Sequence, residues 1–180
     1  MAAHVTVTPE QFTLVNYDAA EISAVVVDLA ERLGVANPIQ VNVNETTPFA
    51  KITVELDGSP SSDVTIALGL ESGALEDSRH LQHFGLERAQ LSIGRGLLRA
   101  RDRMRADFAD APADADLTNE QAAAWDAYCM GRLTRAGLDP APQRSLYDFR
   151  NRFGFSDDTD AQFERLWAAE DLSWADLPGN

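Results

Sequence analysis

Three stretches of the chain alternate apolar and polar residues one by one. In IQVNVN the apolar set is Ile39, Val41 and Val43; in AKITVEL it is Ala50, Ile52, Val54 and Leu56; in VTIALGL it is Val64, Ile66, Leu68 and Leu70. A period of two puts each set on one side of a strand, so each run predicts a strand with one buried and one wet face. The segments between them, ETTP and DGSPSS, are short and rich in turn formers. Together they predict a three-stranded antiparallel meander.

Elsewhere the apolar positions recur at helical spacing. Asp18-Ala-Ala-Glu21 has the form of a capping box and opens a helix over about 18–33, with Ile22, Val25, Val26, Leu29 and Leu33 on one face and Gly34 at its end. Just upstream, TPEQF predicts a short helical turn begun at Pro9. The longest signal covers 86–106, where Leu86, Ala89, Ile93, Leu97, Ala100 and Met104 form a stripe suited to packing on a sheet. Gly94 and Gly96 inside it cost about 1 kcal/mol each relative to alanine, which predicts close approach of a neighbour or a bend. A second capping box, Thr118 to Gln121, opens a helix to about 136 with Trp125, Cys129 and Leu133 inward. A shorter helix near 143–153 carries Leu146, Phe149 and Phe153. A last one, capped over Thr159–Gln162, carries Phe163, Leu166 and Trp167, with Trp174 and Leu177 pinning the tail.

Between the two groups, ADFADAPADAD carries four aspartates, a proline and no base, the composition of a solvated linker. The expected fold is therefore α+β: a helix, the meander and a long packed helix, followed by about three C-terminal helices. The expected domains are an α+β domain over 1–106, an acidic linker over 107–117 and a helical subdomain over 118–180, which either stands apart or packs as one domain with the first.

Charge narrows the partners. Twenty-nine acids against fifteen bases give a net charge of −14, which opposes binding to nucleic acid or anionic membrane and leaves proteins, a second copy of the chain, or small molecules. A single cysteine, Cys129, excludes an internal disulfide and any multi-cysteine zinc site; with no leader-like pattern at residues 1–12 and no apolar run approaching a membrane span, the chain reads as cytoplasmic. G-x-S-x-G, P-loop, G-x-G-x-x-G and H-E-x-x-H patterns are all missing, so neither a cofactor nor a resident metal is expected.

Four features compete as sites. DSRHLQHFG places His80 and His83 three residues apart, with Glu76 four before His80; on a helix these share a face and could ligate a metal or serve acid/base chemistry. A catalytic zinc usually takes three protein ligands, and Gly85 favours the plainer reading of imidazoles at a helix end. Arg88, Arg95 and Arg99 fall together on the side opposite the apolar stripe, in a segment (79–105) with seven arginines and two acids. They suit recognition of an acidic partner or phosphate, against the plainer reading of a solvated face paired with the chain's own carboxylates. The outer face of the meander, Gln40, Asn42, Asn44, Lys51, Thr53, Glu55, Thr65, Ala67 and Gly69, offers amides, hydroxyls and small residues to a polar ligand, although such faces are commonly just wet. QRSLYDFRNRF resembles a recognition helix only in its arginines, because residues 118–180 hold eleven acids and six bases. Cys129 falls on a buried stripe and reads as core. The leading expectation is a non-catalytic cytoplasmic interaction or regulatory protein, with Arg88, Arg95 and Arg99 as its contact. The alternatives are a small metal-dependent hydrolase using His80 and His83, or a binder of polar small molecules.

Overall fold

Asp18 begins the first helix as the sequence indicates: its carboxylate accepts from the Ala20 amide at 2.8 Å, and α1 runs Ala19–Arg32. Before it lies a strand, β1, Val5–Thr8, and after it β2, Ile39–Asn44. The remaining strands are β3, Ile52–Asp57, and β4, Thr65–Glu71. α2 spans Leu86–Arg103, α3 Asn119–Arg135, α4 Pro142–Phe153 and α5 Asp157–Ala168. This α+β arrangement is that of a computed structural model, which describes residues 3–179. The chain divides between Met104 and Arg105 into two compact units.

The sheet is mixed and has the order β1-β2-β4-β3, which corrects the three-stranded antiparallel meander. β1 and β2 run parallel around α1, β2 and β4 are also parallel, and only β3 and β4 form an antiparallel pair. β4 thus takes the place beside β2 that a meander would give to β3. Parallel neighbours need a crossover connection, which α1 supplies for β1 and β2, and the chain through β3 supplies for β2 and β4. β1 itself goes unread in the sequence because its alternation, VTVT, lasts only four residues before Pro9. The helical turn expected after Pro9 is not formed either. Gln11 instead bridges to Asp18, and Glu45 at the end of β2 grips the turn, accepting from the Thr13 amide at 2.8 Å and the Leu14 amide at 2.6 Å. These bonds, that to Leu14 foremost, hold the Glu45 carboxyl below its ordinary range.

The register aligns the alternating sets on one face. Val41 opposes Leu68 and Leu68 opposes Val54, with Ile39, Ile66, Val43, Leu70 and Ile52 on the same side, all buried. α1 and α2 cover this face, burying Ile22, Val26, Leu29, Ile93 and Leu97. Gly96 explains the glycine inside α2: a Cβ there would lie 2.6 Å from Ile52 Cδ1, so its absence lets the helix settle onto the sheet. Two residues of the expected apolar stripes point elsewhere. Leu86, in the first turn of α2, is 51% exposed, and Ala50 lies outside β3 and is exposed.

The second unit is helical. Thr118 and Gln121 form the expected reciprocal box at the start of α3, and Trp125, Cys129 and Leu133 are fully buried. α5 starts earlier than its expected cap: Ser156 accepts from the Thr159 amide, and Thr159 sits in the first turn. The acidic run is not bare linker, since Phe108 within it is buried and packs on Trp125 and Trp174 at ring separations of 5.3 and 6.2 Å. Trp174 and Leu177 are buried, as the tail pattern predicts.

Candidate functional site

With α1 and α2 on one face, the other face of the sheet carries the alternate residues, and these are polar or small. The register arranges them in rows across the strands. One row runs Thr8, Asn42, Gly69, Thr53; the next toward one end of the sheet runs Asn44, Glu71, Lys51, the last pair continuing the β3–β4 register through a Glu71 N–H to Lys51 carbonyl bond of 3.0 Å. Asn42, Asn44 and Lys51 are exposed. A cleft of about 350 Å³ opens over these two rows, with Pro9 also in its lining.

Each part of the cleft has a local cause. Its floor dips at Gly69 because no side chain rises from the central strand there, and a Cβ at that position would lie 2.5 Å from Thr53 Oγ1. The glycine therefore lets the Thr53 hydroxyl lean across β4. Asn44 is fixed by its neighbours: its Oδ1 accepts from the Thr46 amide at 3.1 Å and the Thr46 hydroxyl at 2.7 Å, which aims Nδ2 at Glu71 Oε2, 3.2 Å away. Glu71 is drawn toward β2 in this way. Lys51, on the other side of Glu71, makes no ion pair with it, and the side chains of Asn42 and Lys51 have no hydrogen-bond partner among the described residues. The cleft offers an ammonium, a carboxylate, an amide and hydroxyls in an ordered frame, which suits recognition by charge and hydrogen bonding.

The histidine segment has a different form from the helix end expected of it. Residues 77–85 make a closed loop leading into α2, with Gly85 as the residue before the helix rather than after one. The loop is tied by the Asp77 N–H to the His83 carbonyl at 2.8 Å and by the Gly85 N–H to the Leu75 carbonyl at 2.8 Å; a Cβ on Gly85 would lie 2.7 Å from Asp77 Cα. Both carboxylates serve the loop: Glu76 accepts from the Gln82 amide and Asp77 from the Arg79 amide, each at 2.7 Å. The Arg79 bond is the main reason the Asp77 carboxyl ionises below its usual range, helped by the His80 amide. His80 and His83 are exposed with ring centres 6.3 Å apart, and Glu76 is turned away to Gln82. Among the described residues no group of three or more His, Cys, Asp and Glu side chains is placed to hold a metal ion.

Arg88 and Arg95 are half-buried on α2, and Arg99 is only 5% exposed, so the three do not present one solvent-facing ridge. The sequence reading missed three contributors to the cleft. Thr8 needed β1 to be recognised, Glu71 lies one residue beyond the alternating run, and Pro9 was read as a helix start. The VTVT alternation is the signal that could have found the first.

Fold and site together define a class: an α+β chain whose four-stranded mixed sheet keeps one polar, cleft-bearing face open. No family model, no curated protein and no solved structure matches the chain. No helix among the described residues is long and apolar enough to cross a membrane.

Proposed function

We propose that this chain is a non-catalytic binding protein that recognises a small polar ligand on the open face of its sheet. What carries the reading is the row Thr8, Asn42, Gly69, Thr53 beneath the cleft, where a glycine on the central strand lies between the Asn42 amide and the Thr53 hydroxyl. The cleft volume of about 350 Å³ falls in the range of small-ligand sites, of order 300–1,000 Å³. Nothing in it pairs a nucleophile with a base, so binding and regulation are favoured over turnover. A cytoplasmic setting fits a lone, buried thiol at Cys129.

The test is thermal denaturation of the whole chain against a panel of polar metabolites, with two variants that leave the buried face intact. Thr53→Val removes a hydroxyl at constant shape, and Gly69→Ala fills the floor and displaces Thr53. A ligand present at about 100 times its Kd should stabilise the wild type by about 2.7 kcal/mol, and loss of one hydrogen bond should weaken it about tenfold. If no compound shifts the wild type, or if both variants respond as the wild type does, the open face is not the site.

A second reading, docking to a protein partner or to another copy, is favoured by one observation in the helical unit. Tyr147 and Phe155 are 56% and 63% exposed and meet edge to face at 5.8 Å, with the Arg150 guanidinium 5.9 Å from the Phe155 ring. Aromatic and arginine side chains are the usual anchors of protein interfaces. On this reading the contact lies there, and Arg88 and Arg95 are secondary.

A further inference from the structure

Lys51, the residue just before β3, stands opposite Glu71 of β4 on the exposed face, where opposite charges ordinarily pair across the ladder. They do not. Glu71 is held on the other side by Asn44, whose own orientation is set by two bonds from Thr46, and only one Glu71 oxygen is engaged. Lys51, the single lysine of the chain, keeps its ammonium without a hydrogen bond or ion pair among the described residues. A cation and an anion are thus kept apart across one rung, with the Gly69 hollow beside them.

From this separation we infer that the cleft takes a small zwitterion of free α-amino-acid type, its carboxylate on Lys51 and its ammonium on Glu71. The inference rests on the open-face reading above and makes it specific. Side chains directly across a strand pair start from Cβ atoms about 5 Å apart, so a ligand spanning them must carry its charges close together, as an α-amino acid does. The polar atoms of Asn42 and Thr53 then meet the ligand's remaining donors and acceptors, and its side chain lies along the cleft floor. Global charge points the same way. A chain of net charge −14 repels an anionic ligand at long range, whereas a net-neutral zwitterion approaches without that barrier and still presents a carboxylate to Lys51.

Calorimetric titration of the full chain decides the matter, with the common L-α-amino acids as probes. For whichever binds, two analogues follow: the amine lacking its carboxylate and the acid lacking its ammonium. Glycerol and other neutral polyols form a third arm. At least one amino acid should bind, and each analogue about tenfold or more weaker, the ratio expected when a charge-assisted bond is lost. Lys51→Gln should abolish the preference over the amine and leave that over the acid; Glu71→Gln should do the reverse. Melting of each variant without ligand at the wild-type temperature establishes that both fold. Polyols binding as well as any amino acid, with sensitivity to Thr53→Val, would overturn the zwitterion while keeping the open face as a binding site. Absence of heat with every probe, alongside an unresponsive metabolite panel, would overturn both. An amino acid that binds equally to wild type, Lys51→Gln and Glu71→Gln sits elsewhere and also overturns the assignment.

Discussion

Tyr17 shows how one polar atom is accommodated inside the sheet unit. Its ring is 8% exposed and meets Phe12 and Phe84 edge to face, while its hydroxyl donates to the Ser72 carbonyl at 2.8 Å. Burial, reinforced by the nearby Glu76 carboxylate and opposed by Arg88, pushes the phenol from 10.0 up to about 12. The sign of the consequence is fixed. Below pH 10 both folded and unfolded chains keep the proton and stability is unaffected; above it the unfolded chain ionises first, so stability falls as pH rises from 10 toward 12. An absorbance titration of phenolate should show a late component near pH 12 that is missing in Tyr17→Phe, and a component ending near 10 in the wild type would refute the assignment. The same substitution removes one of the two donors to the Ser72 carbonyl, the Leu75 amide remaining at 3.0 Å, and should destabilise by about 1 kcal/mol in urea denaturation.

Between elements, one close approach in the helical unit is made where a side chain is missing. Gly131 of α3 lies against the backbone of α5 so tightly that a Cβ would collide with the Trp167 carbonyl. One turn further along α3, Arg135 gathers the end of α5, donating to the Trp167 and Ala169 carbonyls at 2.6 Å each and pairing with Glu170. These carbonyls would otherwise be orphaned at a helix terminus. Gly131→Ala must push α5 away and loosen that grip, so it should cost about 1–3 kcal/mol by overpacking, read from the chemical denaturation midpoint. An unchanged midpoint would mean that α5 yields freely and that the contact is not tight in solution. At this scale the sequence was legible wherever one element carries its own signal. The helices α1 to α5 were placed by periodicity and caps such as Asp18 and Thr118, and β2, β3 and β4 by alternation. Pairing was not legible, because Ile39, Val41 and Val43 present the same apolar face whether their neighbour is β3 or β4. The cleft was half legible for the same reason. Asn42, Asn44, Lys51, Thr53 and Gly69 follow from parity alone, while Thr8 and Glu71 join them only through the register of β1 and β4.

Over the whole molecule the balance is set by like charge. Residues 1–78 hold twelve acids against two bases, and residues 106–180 hold fifteen acids against six bases, so only the arginine-rich stretch 79–105 counters the excess. Pairs such as Arg32 with Asp28 and Arg150 with Asp160 exist, but they lie at the surface, with roughly a third to a half of each side chain's area exposed. Exposed pairs of this kind contribute little to stability and weaken with salt. The unpaired acids repel one another over a longer range, and expansion of the unfolded chain relieves that repulsion. The two effects respond to salt with opposite sign. Raising ionic strength from about 0.01 to 0.15 M shortens the screening length from about 30 to 8 Å, which removes repulsion among distant carboxylates and costs little in contact pairs held by hydrogen bonds. The melting temperature should therefore rise over this range in sodium chloride, and rise again by a smaller increment toward 1 M. A melting temperature that falls instead would assign the dominant role to arginine pairs such as Arg32 with Asp28 and Arg150 with Asp160.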